Sequence, residues 1–445
     1  MTDHDRIKPR TLKGFRDFLP EAMLRREWLI DTARAVYRSY GFAPIDTPAL
    51  EYSEILLGKG GDESDKQLYR FEDRGGRDIA MRFDLTVPLA RFIAQHVGVV
   101  GTPFKRYHVG PVWRAENPQR GRYREFMQCD FDTIGTESTY ADVETILVIH
   151  DLFIAFGFER FTVRINNRKV LNGRLETLGI ADRSAAVLRA IDKLPKIGVD
   201  GVVDELEESA GVDRGESMKI LDFAQISGSN AQVLAALEAA VGSSPTGRSG
   251  VAELAAVVAG TMAAGMPQER LVLDVSIARG LDYYTGTVVE TFLTDLPEIG
   301  SCCSGGRYDD LASVYTNHRL PGIGASVGVD RLLAAMDELE AGASRTGAAD
   351  VLVAFFDAER GNNYVALGGQ LRNAGFSVEV YPEAKKLRNQ FKYAERRGHR
   401  LIVIVGPDEW AADTAQIRDL ATGESREVER ERLVAACREL LLPFE

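Results

Sequence analysis

The sequence predicts a mixed α+β protein in more than one domain, and three stretches carry that prediction. Residues 104–114 and 122–134 read as two strands around a loop bearing Pro118 and Gly121, the pattern of a long antiparallel hairpin. Residues 165–265 are rich in Ala, Leu, Glu and Gly at helical spacing with few aromatics, which reads as a helical insertion. After the small, polar run AGASRTGAA (341–349), strand-like and helical segments alternate as in a compact α/β domain.

The chain has 445 residues, too many for one ordinary domain and enough for two or three with sizeable cores. Its 45% hydrophobic and 27% charged residues place it among soluble globular proteins. No apolar run is long enough to span a bilayer, and residues 1–10 lack the apolar stretch of a secretory signal, so a cytoplasmic location is expected. Cys129, Cys302, Cys303 and Cys437 show no C-x-x-C spacing, and reduced thiols fit that compartment. The net charge of −12 argues against indiscriminate nucleic-acid binding but leaves room for a specific RNA partner, which needs only a local basic surface.

Along the chain, residues 22–40 read as a helix with Leu24, Trp28, Ala35 and Val36 among its apolar positions and Gly41 as its stop. After Pro48, residues 50–100 carry short strand-like runs broken by a loop from Gly58 to Lys66. The insertion ends in a soft stretch, Gly242 to Gly250, and strands return at Leu271–Ile277 and Thr287–Leu293. Residues 322–331 then lead into a helix near 330–340. In the last part, 351–356, 376–380 and 401–405 read as strands, and 361–374 and 384–397 as helices. The expected division is 1–164 and 266–340 for the two parts of one domain, 165–265 for the insertion, 341–349 for a linker and 350–445 for the last domain.

Strand alternation sorts the hairpin. Tyr123, Met127, Cys129 and Phe131 fall on one face, a plausible core surface. Arg122, Arg124, Phe126, Gln128, Asp130 and Asp132 fall on the other. That second face sets cations beside an aromatic ring and then carboxylates, as a site for a phosphate-bearing nucleotide next to a cationic substrate requires. The plain alternative is a solvated strand face with ordinary salt bridges. The ordered set, with Arg114 ending the opposite strand, argues against it.

The string GPVWRAENPQRGRYREFMQCDFDTIG (110–135) resembles motif 2 of class II aminoacyl-tRNA synthetases, and RGRYREFMQCDFD within it resembles the histidyl-tRNA synthetases. RGLDYYTG (279–286) resembles a signature particular to that family. The resemblance implies an antiparallel-sheet class II catalytic domain with a helical insertion and a C-terminal α/β anticodon-binding domain. It implies that Arg114 holds the α-phosphate of ATP, Arg122 the outer phosphates, that Phe126 stacks on adenine, and that Glu116 belongs to the same ATP set. Arg279 would offer a fixed planar cation to the histidine carboxylate and the α-phosphate, making Arg114 and Arg279 the catalytic pair.

MRFDLTVPLARF (81–92) admits a plain reading in which Asp84 only caps a helix. By the resemblance, Asp84 and Thr86 receive the α-ammonium of histidine. Phe83-Asp84-Leu85-Thr86 departs from the Pro-Glu-Gly-Thr of one branch and, with Asp130-Phe131-Asp132, is similar to the branch common in eukaryotes. Gln128, Asp132, Tyr284 and Tyr308 would complete the histidine pocket. GGRYDDL (305–311) and GIGASVGVDRLL (322–333) resemble motif 3, with Arg331 reaching ATP and Asp310 standing where the family usually has Gly. The spacing Gly322-x-Gly324-x-x-x-Gly328 is not a dinucleotide fingerprint, because its glycine count is wrong and no βαβ unit surrounds it.

In the last domain, Lys385, Arg388, Lys392 and Arg396 recur at helical spacing opposite Leu387, Phe391 and Ala394, a basic face that suits RNA. KGFRDFLP (13–20) and the Pro48 region resemble the family's N-terminal stretch and motif 1, which implies a homodimer. The implied activity is histidine–tRNA ligation. Histidine is activated by ATP, with magnesium on the phosphates, and then passed to the 3′ end of tRNA. Two rivals are a non-catalytic regulatory or tRNA-sensing paralogue and a class II enzyme for another amino acid. Arg114, Arg279 and Arg331 are all retained, against the first; Tyr284, Tyr308, Gln128 and Asp132 suit a polar ring, against the second.

Overall fold

In the computed structural model the strand-rich part of the chain closes around a sheet that has eight strands among the described residues. That structure describes residues 7–58, 65–119, 121–277, 283–339 and 347–441. The chain divides into two compact units, Met1–Arg16 with Leu29–Gly342 and Asp17–Trp28 with Ala343–Glu445.

In the larger unit the sheet strands, in order from one edge to the other, are β1 (Ala43–Pro44), β5 (Phe104–Trp113), β6 (Glu125–Ile134), β11 (Gly322–Gly328), β10 (Cys303–Tyr308), β9 (Thr287–Leu293), β7 (Phe161–Asn167) and β8 (Leu271–Leu273). The six central strands pair antiparallel, while β1 on β5 and β8 on β7 are parallel. A smaller antiparallel sheet is ordered β2 (Leu50–Tyr52), β4 (Asp78–Met81), β3 (Arg70–Glu72). The hairpin β5–β6 is in register along its whole length, from Phe104 opposite Ile134 to Trp113 opposite Glu125.

From Gln128 to Ile134 β6 is paired on both sides, and its alternation there is strict. Cys129 and Phe131 face the core, where Tyr37 stacks 5.1 Å from Phe131 and donates its hydroxyl to the Cys129 carbonyl. All four cysteines are buried.

Residues 86–100 correct the expectation of strands. They form the helix Thr86–Val100, burying Val87, Pro88, Leu89, Ala90 and Ile93. Its β-branched content favours strand, but Pro88 sits in the first turn, where the missing N–H costs nothing, and the Asp84 carboxylate accepts from the Val87 N–H at 3.0 Å. Local capping and burial outweigh propensity there.

The insertion is helical, with segments Arg168–Leu178, Ser184–Asp192, Leu194–Ala210, Arg214–Ala224, Asn230–Val241 and Pro245–Ala263. Three of the starts have a chemical reason in the residue before them: the Asn167, Asp213 and Ser229 side chains accept from the first-turn amides. The stretch Gly242–Gly250 is shorter as a connection than expected. Ser244 caps and Pro245 starts the next helix, which absorbs the remainder. Of the expected strand Leu271–Ile277, only Leu271–Leu273 pairs.

In the smaller unit, the sheet order is β13 (Val378–Val380), β12 (Val351–Val353), β14 (Leu401–Ile404), β15 (Thr414–Asp419), β16 (Ser425–Glu429), parallel through β12 and antiparallel beyond β14. Period-2 burial divides its core. Val351, Val353, Leu401 and Val403 pack with Tyr364 and Leu371 on one face. Leu352, Ile402 and Ile404 pack with Ala394 on the other. The helix Leu387–Arg397 turns Leu387 and Phe391 inward and leaves Arg388, Lys392 and Arg396 exposed, as does Lys385 just before it. Residues 341–346 of the expected linker lie outside the described residues.

Candidate active site

The open face of β6, β10 and β11 floors a cavity of about 360 Å³ in the larger unit. Asp84, Thr86, Arg114, Glu116, Arg122, Phe126, Gln128, Asp132, Tyr284, Tyr308 and Arg331 all line it. These eleven come from five separated stretches of sequence. Arg279 lies outside the described residues.

One end of the cavity is cationic. Arg114 donates from Nε to the Phe83 carbonyl at 3.0 Å, and its guanidinium carbon lies 5.1 Å from the Phe126 ring centre. Arg122 Nη1 is 3.9 Å from Glu116 Oε2, too far for a firm bond, and the Arg122 side chain is 45% exposed. Arg331 is held by a donation to the Ser301 carbonyl. Burial, then the like charge of Arg122, push its guanidinium down from its ordinary pKa, while Glu290 and Glu116 oppose that shift. Three arginines and one aromatic face suit the phosphates and base of a nucleotide triphosphate, and two carboxylates, Glu116 and Glu290, lie among them.

The other end is polar and buried. Asp84 gives one carboxylate oxygen to the Val87 amide, so the cap reading describes that oxygen. The other oxygen is buried and has no hydrogen-bond partner among the described residues. Burial raises its pKa to about 6. Asp132 accepts from the Tyr308 hydroxyl and lies 2.6 Å from the Arg106 guanidinium. Gly324 opposite it is required by contact: a Cβ there would fall 2.2 Å from an Asp132 oxygen. Gln128 donates to Ser326 at 2.7 Å, and its own carbonyl has no hydrogen-bond partner among the described residues.

Tyr284 and Tyr308 are joined by Tyr283, whose ring lies 5.1 Å from the first and 5.8 Å from the second. Burial raises the pKa of all three phenols, so they act here as hydroxyls. Thr285 anchors the run: its hydroxyl donates to Asp309 at 2.7 Å and its amide to the Arg307 carbonyl at 2.8 Å. The GGRYDDL string therefore braces the tyrosines as well as contributing Tyr308. Asp310, where glycine was expected, has φ −110°, an ordinary backbone for any residue.

Two placements differ from strand alternation. Arg124 does not line the cavity. Its Nε donates to the Glu116 carbonyl and its amide to the Gly14 carbonyl. Tyr123, assigned to the core face, lines it instead. Regular strand geometry begins only at Glu125, because the preceding turn is closed by a bridge between Gln119 and Arg122. Asp130 keeps its expected side but lies fully buried, and burial raises its pKa to about 7. Arg106, Tyr283, Glu290 and Ser326 were not singled out from the sequence. Arg106 shares the β5 alternation of Arg114 and could have been.

A family model described as "Histidyl-tRNA synthetase" matches residues 14–332, and one described as "Anticodon binding domain" matches residues 350–440. The chain is 56% identical over 422 residues to a histidine–tRNA ligase of Rhodopirellula baltica, covering 95% of this chain and 96% of that protein. It is 45% identical to a histidine–tRNA ligase of Wolinella succinogenes, covering 96% and 97%. Among solved structures, a histidyl-tRNA synthetase from Nostoc sp. PCC 7120 superposes with a TM-score of 0.89 at 37% identity, covering 98% of this chain and all of that one.

Proposed function

The chain belongs to the histidyl-tRNA synthetase family, and from that premise we propose how its residues divide the work of histidine–tRNA ligation. The enzyme activates histidine with ATP to histidyl-adenylate and pyrophosphate, then transfers histidine to the 3′ end of its tRNA. One observation supports the division most: β6 runs from the arginine end of the cavity to the carboxylate and tyrosine end, so one strand serves both substrates.

In this reading Arg114 holds the α-phosphate, Arg122 and Arg331 the outer phosphates, and Phe126 the adenine. Glu116 and Glu290 are carboxylates at that end, a donor set that fits a magnesium ion carried in on the phosphates. Such an ion would neutralise phosphate charge. The uncommitted oxygen of Asp84, with Thr86, receives the histidine ammonium. Asp132 and the Gln128 carbonyl accept from the imidazole, and the tyrosine hydroxyls complete its outline. The substrate's own carboxylate is the nucleophile, so the protein contributes position and charge. Arg279 is assigned to the carboxylate and α-phosphate from its sequence signature. Changing it to Ala lowers the turnover of adenylation far more than it weakens ATP binding.

The 350–440 match supports tRNA recognition by the C-terminal domain, to which the basic helix Leu387–Arg397 contributes cations. We also read the protein as a homodimer, on the resemblance of its N-terminal region to motif 1, and as cytoplasmic, in keeping with four buried cysteines in no disulfide. No helix among the described residues is long and apolar enough to cross a membrane. ATP–pyrophosphate exchange with each amino acid in turn tests the whole: exchange with histidine alone is expected, and silence with histidine overturns it.

A further inference from the structure

We propose that residues Lys13–Arg16 form a strap that sets the ATP-gripping turn, and that Arg16 is a positioning residue for the arginine end of the cavity. The inference rests on the assignment of ATP to that end. It starts from Arg124, the arginine that alternation had aimed at the substrate. Its amide donates to the Gly14 carbonyl at 2.9 Å, and its Nη1 reaches the Lys13 carbonyl at 3.4 Å. The same side chain donates from Nε to the Glu116 carbonyl at 3.0 Å. Arg124 thus ties both arms of the turn to the strap rather than touching substrate.

Gly14 is required by this contact. Its φ is +85°, and a Cβ would stand 2.8 Å from Arg124 Cγ and 2.9 Å from Pro118 Cγ. The strap can lie against the turn because Gly14 carries no side chain at the point of contact.

Arg16 makes the second attachment. Its guanidinium carbon lies 3.6 Å from the centre of the Tyr123 ring, a stacked cation–π contact. The same group forms an ion pair with Asp330. Asp330 is 3% exposed, and its other oxygen accepts from the Met127 amide at 2.7 Å. Tyr123 is the sequence neighbour of Arg122, and Asp330 the neighbour of Arg331. One side chain therefore braces the residues next to two of the three phosphate-facing arginines. Neither Arg16 nor Gly14 lines the cavity. Their contribution is to geometry, where a displacement of about 1 Å costs on the order of a hundredfold in rate.

The test is pyrophosphate exchange with the full-length protein. Arg16→Met keeps the stem and removes the charge-assisted pair. It is expected to raise KM for ATP about tenfold, the scale of one such bond, while KM for histidine stays within about twofold. Arg16→Lys keeps a cation for Asp330 but loses the planar stack, and should fall between parent and Met. This second variant preserves the test if the first fails to fold. An unchanged KM for ATP, or both KM values rising together, overturns the strap. Arg122→Ala separates the two levels. If it leaves KM for ATP unmoved, the ATP assignment itself fails. If it raises KM for ATP while the Arg16 variants do not, only the strap fails.

Discussion

Arg106 Nη2 lies 2.6 Å from Asp132 Oδ2, directly across the β5–β6 ladder, with the arginine fully buried. The same nitrogen donates to the Leu85 carbonyl at 3.3 Å, beside Asp84. One sequestered cation thus stands among three buried carboxylates, Asp84, Asp130 and Asp132, and lowers the pKa of each against the larger upward push of burial. It keeps the carboxylate end of the cavity able to carry negative charge although these groups are buried.

Removing that cation leaves buried carboxylates without their counter-charge, the expensive way to break a buried pair. Arg106→Met is expected to cost roughly 3–5 kcal/mol of stability. It should also weaken histidine binding before ATP binding. Denaturation midpoints and the two KM values check both. Parental stability would show that the pair contributes little.

The raised carboxyls also set a pH dependence. Asp130 moves from an ordinary value of 3.8 to about 7. Below about pH 4 it is protonated in folded and unfolded chains alike, and its penalty is absent. As pH rises from there to about 7, the unfolded chain releases the proton first, so unfolding gains and stability falls; above that the penalty is constant. Asp84, raised to about 6, acts in the same direction over a narrower window. Asp130→Asn removes the larger contribution. Its thermal midpoint relative to the parent is expected to rise between pH 4 and 7 and then level off. A constant difference across that range would contradict the buried, protonated state.

Legibility followed the range of the forces involved. Gln128 and Asp132 were readable because β6 is paired on both sides there and must alternate, and Phe126 because it still pairs with Val112 of β5. Arg124 and Tyr123 were misplaced because a turn takes its geometry from distant partners, here the Lys13 and Gly14 carbonyls and Arg16. Arg106 was overlooked because its meaning depends on Asp132, on the neighbouring strand and 26 positions later. The helix Thr86–Val100 hid behind its β-branched residues, whereas the burial of Val87, Leu89, Ala90 and Ile93 on one side decides its conformation. The recognisable strings ran ahead of the physics: RGLDYYTG pointed to histidine, but no local rule reveals that Asp309 and Arg307 hold its Thr285 in place.

The C-terminal reading has its own separable test. Lys392 and Arg396 are exposed and lie one helical turn apart on the helix Leu387–Arg397. Charge reversal of both is expected to raise KM for tRNA in aminoacylation at least tenfold and to shallow its salt dependence, since phosphate contacts release counterions. Pyrophosphate exchange needs no tRNA and should stay at the parental rate. Unaltered aminoacylation would return that face to the solvated helix it otherwise resembles.

Asp84 carries two duties on two oxygens, and two substitutions pull them apart. Oδ1 accepts from the Val87 amide and starts the helix Thr86–Val100; Oδ2 has no hydrogen-bond partner among the described residues and is assigned to the histidine ammonium. Asn at position 84 keeps an acceptor for the amide but loses the charge. Asp84→Asn should therefore melt with the parent, or above it, because a buried carboxylate whose pKa is raised is relieved. Its KM for histidine should rise by tenfold or more, in line with about 1.5–3 kcal/mol for a hydrogen bond to a charged group, with KM for ATP unmoved. Ala removes both acceptors, so Asp84→Ala should share the histidine defect and in addition lose about 1 kcal/mol through the missing cap. If only Ala lowers stability and neither Asn nor Ala changes KM for histidine, Asp84 is only a cap, and the ammonium must be received elsewhere.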